Sequence, residues 1–329
     1  MSMLNPFATS DAFNLVNLTA SINDLAYTPS LIRDLNVFDE RGQSSVTAII
    51  EELNETVALL APKPRNAPGA VVNGDKRVVN TLSIPHIPQR ATIMADSVQG
   101  VRQFGSEDMA APIQAAINER LAKMRRQIDY TIEYHRLLAL AGNYMDLNGD
   151  TKSAYTLLGG SRDSVDFVLG TAGTAIRSKC LDAINHVEEG LGGAGYSGLH
   201  AICSAAFWQK LITHAKVEET FVYSEGAALR AGLTGSFQFG EITWHRYRGT
   251  SSAAVTSGKA FLFPVGVADM YLTRFAPANY AETVNTIGLP YYSKSRALEF
   301  DKGVEIEAQS NVLNVCTRPT ALVELTTSN

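Results

Sequence analysis

The sequence predicts an α+β chain in which one long helix packs among sheets built from strands distant in sequence. Three observations predict it. An apolar stripe recurs at helical spacing over residues 107–141, far longer than an ordinary globular helix. Short strand-like runs lie both before and after that helix. No internal repeat and no coiled-coil register organises the remainder. The 329 residues, 45 % of them hydrophobic, suffice for one large domain or two moderate ones with a sizeable core.

Residues 1–55 read as an irregular arm followed by a first pair of short elements. Leu15, Val16, Leu18 and Ile22 are apolar without a sustained period, and Val46–Leu53 reads as a strand. The acids Asp11, Asp24, Asp34, Asp39, Glu40, Glu51, Glu52 and Glu55 face only Arg33 and Arg41 in this half. Residues 56–95 reverse the balance. Ala61-Pro-Lys-Pro-Arg-Asn-Ala-Pro-Gly breaks regular structure, and the chain resumes as a strand over Lys76–Pro88. Two arms around a Pro/Gly tip make a ribbon, carrying Lys63, Arg65, Lys76, Arg77 and Arg90 against Asp75 alone. An isolated two-stranded ribbon is marginal in water. It is therefore expected to lie on a neighbouring copy of the chain. The acidic segment with Glu51, Glu52 and Glu55 is its candidate partner.

In the long helix, Met109, Ile113, Ile117, Leu121, Met124, Ile128 and Ile132 trace one apolar face. Ser106 is placed to cap it, Glu107 and Asp108 suit its first turn, and Gly142 suits its end. At 1.5 Å per residue the span is roughly 50 Å. Its charged positions, Arg120, Lys123, Arg125, Arg126 and Arg136 against Glu119, Asp129 and Glu133, read as a solvated coat. Weak attraction to packaged DNA is the alternative for the basic ones. Beyond it, a small hairpin is expected around Asn148-Gly149, taking in Ser153–Leu158. A second helix is expected over Ser164–Glu189, interrupted near Gly170–Gly173 and ending at Gly190. A strand at Leu199–Ser204 and a helix at Ala205–Thr213 follow. Further strands are expected at Phe237–Tyr247, Lys259–Pro264, Leu298–Phe300, Val304–Ser310 and Leu322–Thr326.

Composition narrows the function classes. A net charge of −5 argues against a dedicated duplex-DNA binder, though not against a subunit that encloses nucleic acid. Cys180, Cys203 and Cys316 are too few and too far apart for a disulfide scaffold, which points to a reducing compartment. The N-terminus lacks a basic segment followed by an apolar one, so no signal peptide is expected, and no apolar run is long enough to span a membrane.

Sites for chemistry are weak. Cys180-x5-His186 and His200-x2-Cys203 offer one tight pair where a structural zinc needs two. No serine sits in a G-x-S-x-G elbow, and Gly195-Tyr-Ser-Gly has the wrong spacing. Asp146-Leu-Asn-Gly-Asp departs from the calcium-loop order after Asn148, and a hairpin turn needs the same residues. Gly190-Leu-Gly-Gly-Ala-Gly approaches the dinucleotide pattern, but a helix precedes it where a strand is required. No catalytic residue, cofactor or metal is expected. A soluble hydrolase with an unrecognised site stays as the alternative of another class.

The order of arm, basic ribbon, very long helix, mixed-sheet unit and closing strands resembles the major capsid proteins of lambda-type tailed bacteriophages. The residues that carry the resemblance are Gln103-Phe-Gly-Ser-Glu-Asp, Phe207-Trp208 with Lys210-Leu-Ile-Thr-His, and Gly258-Lys-Ala-Phe-Leu-Phe-Pro. Phe275-Ala-Pro-Ala-Asn-Tyr and Lys302-Gly-Val-Glu-Ile-Glu-Ala-Gln-Ser-Asn-Val-Leu complete it, so that it runs over residues 10–325. It implies an N-terminal arm (1–45), an extended hairpin loop (46–95) and a peripheral domain (96–162) containing the spine helix. An axial domain with a central mixed sheet (163–297) follows, and C-terminal strands (298–329) return to the peripheral domain. It further implies a non-enzymatic virion subunit, assembled in the host cytoplasm into pentamers and hexamers of an icosahedral procapsid. Its implied partners are many copies of itself, a separate scaffolding protein, a portal protein, a decoration protein at three-fold positions, and packaged double-stranded DNA. An encapsulin-like shell of the same fold is the nearest alternative.

Overall fold

A computed structural model describes residues 15–25, 30–53, 77–98, 110–223, 235–249 and 253–328. The chain begins with helix α1 (Leu15–Asp24), turn α2 (Leu31–Asp34), and strands β1 (Asp39–Gly42), β2 (Thr47–Leu53), β3 (Arg77–Ser83) and β4 (His86–Met94). Turn α3 (Ala95–Val98) and the long helix α4 (Ala110–Leu140) come next, then β5 (Asn143–Met145), β6 (Thr151–Ser153), α5 (Ala154–Leu158) and β7 (Asp163–Asp166). Helix α6 (Ile176–Leu191), β8 (Gly198–Cys203), α7 (Ala205–Ile212), α8 (Ala215–Tyr223), β9 (Ser236–Phe239) and β10 (Ile242–Arg246) follow. The chain closes with β11 (Lys259–Val265), β12 (Tyr271–Phe275), β13 (Tyr292–Ala297), β14 (Gly303–Cys316) and β15 (Val323–Thr326).

Two sheets carry the structure. In one, β14 is the shared strand. Its first part lies antiparallel between β4 and β13, and its second part pairs with β12, which takes β1 in parallel on its far side. In the other, the order is β7-β15-β11-β8-β10-β9, with β15–β7 and β8–β10 parallel. The 14-residue β14 runs through three cores. Val304, Ile306, Ala308 and Val312 meet the long helix, Leu313 and Val315 lie under the β2–β3 ribbon, and Cys316 enters the six-stranded core.

The apolar stripe of the long helix is buried as its spacing requires. Ile117, Leu121, Met124, Ile128 and Ile132 pack on Ile93, Val304 and Ile306 of the first sheet and on Leu18 and Ile22 of α1. Met109 and the proposed cap Ser106 lie outside the described residues. Gly142 ends the helix with φ +72, and a Cβ there would meet the Tyr155 ring at 2.5 Å, so both conformation and space demand glycine. In the second sheet, Trp244 packs on Phe167 and Phe207 with ring centroids 5.7 and 6.0 Å away, and its Nε1 donates to the Phe239 carbonyl.

Several expectations are corrected. Leu15–Asp24 is a helix, because Leu18 and Ile22 stand one turn apart and share a fully buried face too short to read as a period. The proposed continuous arm Lys76–Pro88 breaks at Ile84-Pro85: β3 pairs with β2, whereas β4 leaves the ribbon and joins β14. The Asn148-Gly149 hairpin forms between β5 and β6, but Ala154–Leu158 is helical. Ser164–Asp166 belongs to a strand held by β15, so the second helix starts only at Ile176 and runs to Leu191, capped by Gly192 at φ 62. Glu299–Asp301 is a turn, with Phe300 at φ 59, because it reverses the chain from β13 into β14. Phe237–Tyr247 is two antiparallel strands, and helix Ala215–Tyr223 was not anticipated.

Strand pairing crosses two of the expected segment limits. Tyr271–Phe275 and Tyr292–Ala297, inside the expected axial unit, pair with β14 in the sheet that covers the long helix. Val323–Thr326, expected to return to the peripheral unit, instead pairs with β11 and β7. Burial decides both: Val323 and Leu325 fill the six-stranded core, whereas Phe275 packs on the long-helix side.

Candidate assembly surfaces

The long helix is fastened to the N-terminal arm by buried polar groups. Glu133 accepts from Ser30 Oγ at 2.8 Å and from the Ile32 amide at 2.9 Å, so a carboxylate from another helix caps the first turn of α2. Burial raises its pKa, and these hydrogen bonds oppose the shift. Arg125 pairs with Asp129 one turn on, at 3.0 Å, and donates to the Ile22 carbonyl of α1. Tyr291 donates to the same Asp129, and the Arg125 guanidinium lies 3.5 Å from its ring centre. Arg136 reaches Glu40 at 2.5 Å and stacks over Phe38. The sequence hid these roles because each charge adjoins the apolar stripe: Arg125 follows Met124, Asp129 follows Ile128, and Glu133 follows Ile132. That adjacency is the signal by which they could have been found.

The β2–β3 ribbon rests on the subunit's own sheet at its base. Ala48, Ile50, Leu82 and Ile84 pack on Leu272, Ala276, Leu313 and Val315. Alternation with the buried Ala48 and Ile50 turns Ile49 outward, 62 % exposed, and Val46, in the bend that leads into β2, is 64 % exposed. Beside the ribbon, Gly288 N donates to Gln43 O at 2.9 Å, which brings up the exposed Ile287.

The residues proposed for contact between copies fall in three groups. Lys63, Arg65, Lys76 and Glu55 lie outside the described residues. Glu51, Glu52 and Arg77 lie on the ribbon strands, opposite Val79, Val78 and Leu53 respectively. Arg90 lies on β4, not on the ribbon, and its guanidinium is held at 2.7 Å by Glu307 of the same chain. It belongs to a cross-strand ladder, with Glu307 opposite Lys294 and Glu305 opposite Arg296, Arg296 bonding Glu305 at 2.5 Å. Two of the acids expected to meet the ribbon are engaged within the subunit: Asp39 pairs with Arg274 at 3.1 Å and Glu40 with Arg136.

The motifs weighed for chemistry have structural work. Asp146 Oδ1 accepts from the Asn148 and Asp150 amides at 2.9 Å each, and the bond from Asp150 is the main cause lowering its pKa. Gly190 approaches the Thr320 carbonyl so closely that a Cβ would sit 2.3 Å from its oxygen. His200 and His245 stack on adjacent strands, Nδ1 to Nε2 2.9 Å apart, and burial first, then the neighbouring ring, lowers His245 to about 4. The three thiols are buried and pushed upward by burial, which keeps them protonated. Among the described residues, no group of three His, Cys, Asp or Glu side chains is arranged to hold a metal, and no helix is long and apolar enough to cross a membrane.

A long helix on a sheet, a ribbon packed on that sheet through Ala48, Ile50, Leu82 and Ile84, and a second mixed sheet make up the described chain. The model of the family described as phage major capsid protein E matches residues 14–327. The chain belongs to that family. The major capsid protein of Pseudomonas phage KPP10 is 28 % identical over 340 residues, covering 95 % of this chain and 96 % of that protein. That of Salmonella phage Felix O1 is 24 % identical, with the same coverage of each. Among solved structures, the putative capsid protein of an E. coli CFT073 prophage superposes with a TM-score of 0.58 at 14 % identity, covering 96 % of this chain and 99 % of that one. The capsid of cyanophage P-SCSP1u gives 0.57 at 12 % identity, covering 93 % and 90 %. The capsid subunit is thus a structural component of the virion that self-assembles into an icosahedral shell. Its class is structural and not catalytic.

Proposed function

We propose that this subunit closes into pentamers and hexamers of a procapsid, and that the ribbon of each copy lies on the next. In this reading residues 1–45 are the arm, 46–95 the extended loop and 96–162 the core of the peripheral unit. The observation that carries it is the ribbon. Ala48, Ile50 and Leu82 fasten its base to the sheet, whereas Val46 and Ile49 present an apolar outer face to solvent. Large aliphatics left exposed at Val46, Ile49 and the neighbouring Ile287 favour a covering surface, and a shell subunit has further copies of itself to supply one. Lys63, Arg65, Lys76 and Arg77 give the ribbon its positive charge, and Glu51, Glu52 and Glu55 are its candidate acidic partners on a neighbour. A separate scaffolding protein, a portal, a decoration protein at three-fold positions and packaged double-stranded DNA complete the proposed assembly, in the host cytoplasm.

Reversing Lys63, Arg65, Lys76 and Arg77 to glutamate tests this reading. Subunit folding, followed by circular dichroism and melting, should change little, while the yield of shells seen by negative-stain microscopy should fall sharply. Shells at unchanged yield would refute the ribbon contact.

A further inference from the structure

The buried network on the long helix leaves an unbalanced face. Asp129 and Glu133 are consumed by Arg125, Tyr291, Ser30 and the Ile32 amide, so they neutralise nothing on the solvent side. Arg120, Lys123 and Arg126 are all exposed on that side. Each makes no ion pair or hydrogen bond with any described residue. Glu119 is the one exposed acid between residues 115 and 130. Steps of three residues place the three cations on one face and over about 9 Å of helix.

Resting on the reading of this chain as a DNA-enclosing shell subunit, we propose that Arg120, Lys123 and Arg126 form a contact strip for the phosphate backbone of packaged duplex DNA. The side-chain chemistry favours DNA over a protein partner. Exposed positions 118–127 are Asn118, Glu119, Arg120, Lys123, Arg126 and Gln127, all polar or charged, and the nearest exposed aromatic, Tyr130, stands one turn beyond Arg126. Protein interfaces are centred on apolar and aromatic anchors and depleted in lysine, and the subunit displays its exposed aliphatics elsewhere, at Val46, Ile49 and Ile287. Long cationic stems without a fixed geometry suit phosphates, which need charge and no base reading. A strip of three cations is weak alone, with a salt slope of about −2.7 in log–log terms. The −5 net charge of the chain weakens it further. Repeated across a shell, many such strips act together on one polyanion.

The test uses DNA-filled particles carrying R120Q/K123Q/R126Q or R120E/K123E/R126E. Both variants should fold and assemble, since the three exposed side chains make no ion pair or hydrogen bond with the described residues. DNA release on heating, read with an intercalating dye, should shift down by several degrees, more for glutamate than for glutamine. The shift should vanish near 1 M salt, where the Debye length is about 3 Å. Filled particles with unshifted release at all salts would overturn the strip and leave the shell reading intact. Loss of shells in both variants, with normal circular dichroism, would also overturn it, by making the face a subunit contact. A cryo-electron microscopy map with the strip on the outer surface would do the same. A wild-type chain that never forms DNA-containing shells would instead sink the reading on which the strip rests.

Discussion

Glu133 shows how one side chain can join two parts of a chain a hundred residues apart. Its carboxylate replaces a local cap on α2, so truncation leaves the Ile32 amide buried without an acceptor and removes a charge that Arg136 helps to hold. Glu133→Ala is expected to cost about 1–3 kcal/mol, the range for leaving a buried amide without its acceptor, measured by denaturant unfolding. A loss under 1 kcal/mol would show that the cap is dispensable. Histidines set the acid response. His135 and His245 are lowered to about 4 by burial, so below pH 6.5 the unfolded chain binds protons that the native one refuses. Their contribution is complete above pH 6.5 and is lost as pH falls from there to about 4. Glu133, raised by burial, works in the opposite sense: its unfavourable term grows as pH rises above the ordinary carboxylate range. His245→Asn should therefore flatten the melting temperature against pH between 6.5 and 4, and an unchanged slope would contradict the assignment.

At the scale of elements, the long helix is where sequence and structure agree most closely. Its stripe from Ile117 to Ile132 is long enough for periodicity to dominate every local preference, and all five positions are buried. A proline at Leu121 removes an interior hydrogen bond and collides with the preceding turn, at a cost of about 3 kcal/mol or more. Circular dichroism and thermal melting should both register it; unchanged values would mean that the helix bears little of the subunit's stability. Shorter elements are legible where their own residues carry a strong β pattern, however distant their partners. Thr47–Leu53 and Gly198–Cys203 show strong β patterns of their own, whereas Asp163–Asp166 becomes a strand only because Val323–Thr326 lies beside it. Asp-Ser-Val-Asp has a single apolar residue, Val165, so composition could not mark it as a strand. The arm's helix escaped notice for the same reason, its stripe being two residues long. The solvated-coat reading of the helix charges holds for Glu119, Arg120, Lys123 and Arg126 and fails for the buried Arg125, Asp129, Glu133 and Arg136. Spacing counts charges, but only packing decides which of them reach water.

For the whole molecule, the surface divides into parts satisfied within the subunit and parts that are not. The ladder of Arg90, Glu307, Lys294, Glu305 and Arg296 finds its partners within the subunit, with Lys294 reaching Glu282 and Tyr280 reaching Glu307. Val46, Ile49 and Ile287 are left 64 %, 62 % and 70 % exposed. Family membership explains why such exposure is tolerated, because the functional unit is the shell. The most direct measurement is cryo-electron microscopy of virions built from this chain. The account predicts five- and six-fold rings in which the ribbon of one copy covers the next, with Val46 and Ile49 buried between them. A map in which the ribbon lies wholly on its own subunit, with that face open to solvent, would contradict it.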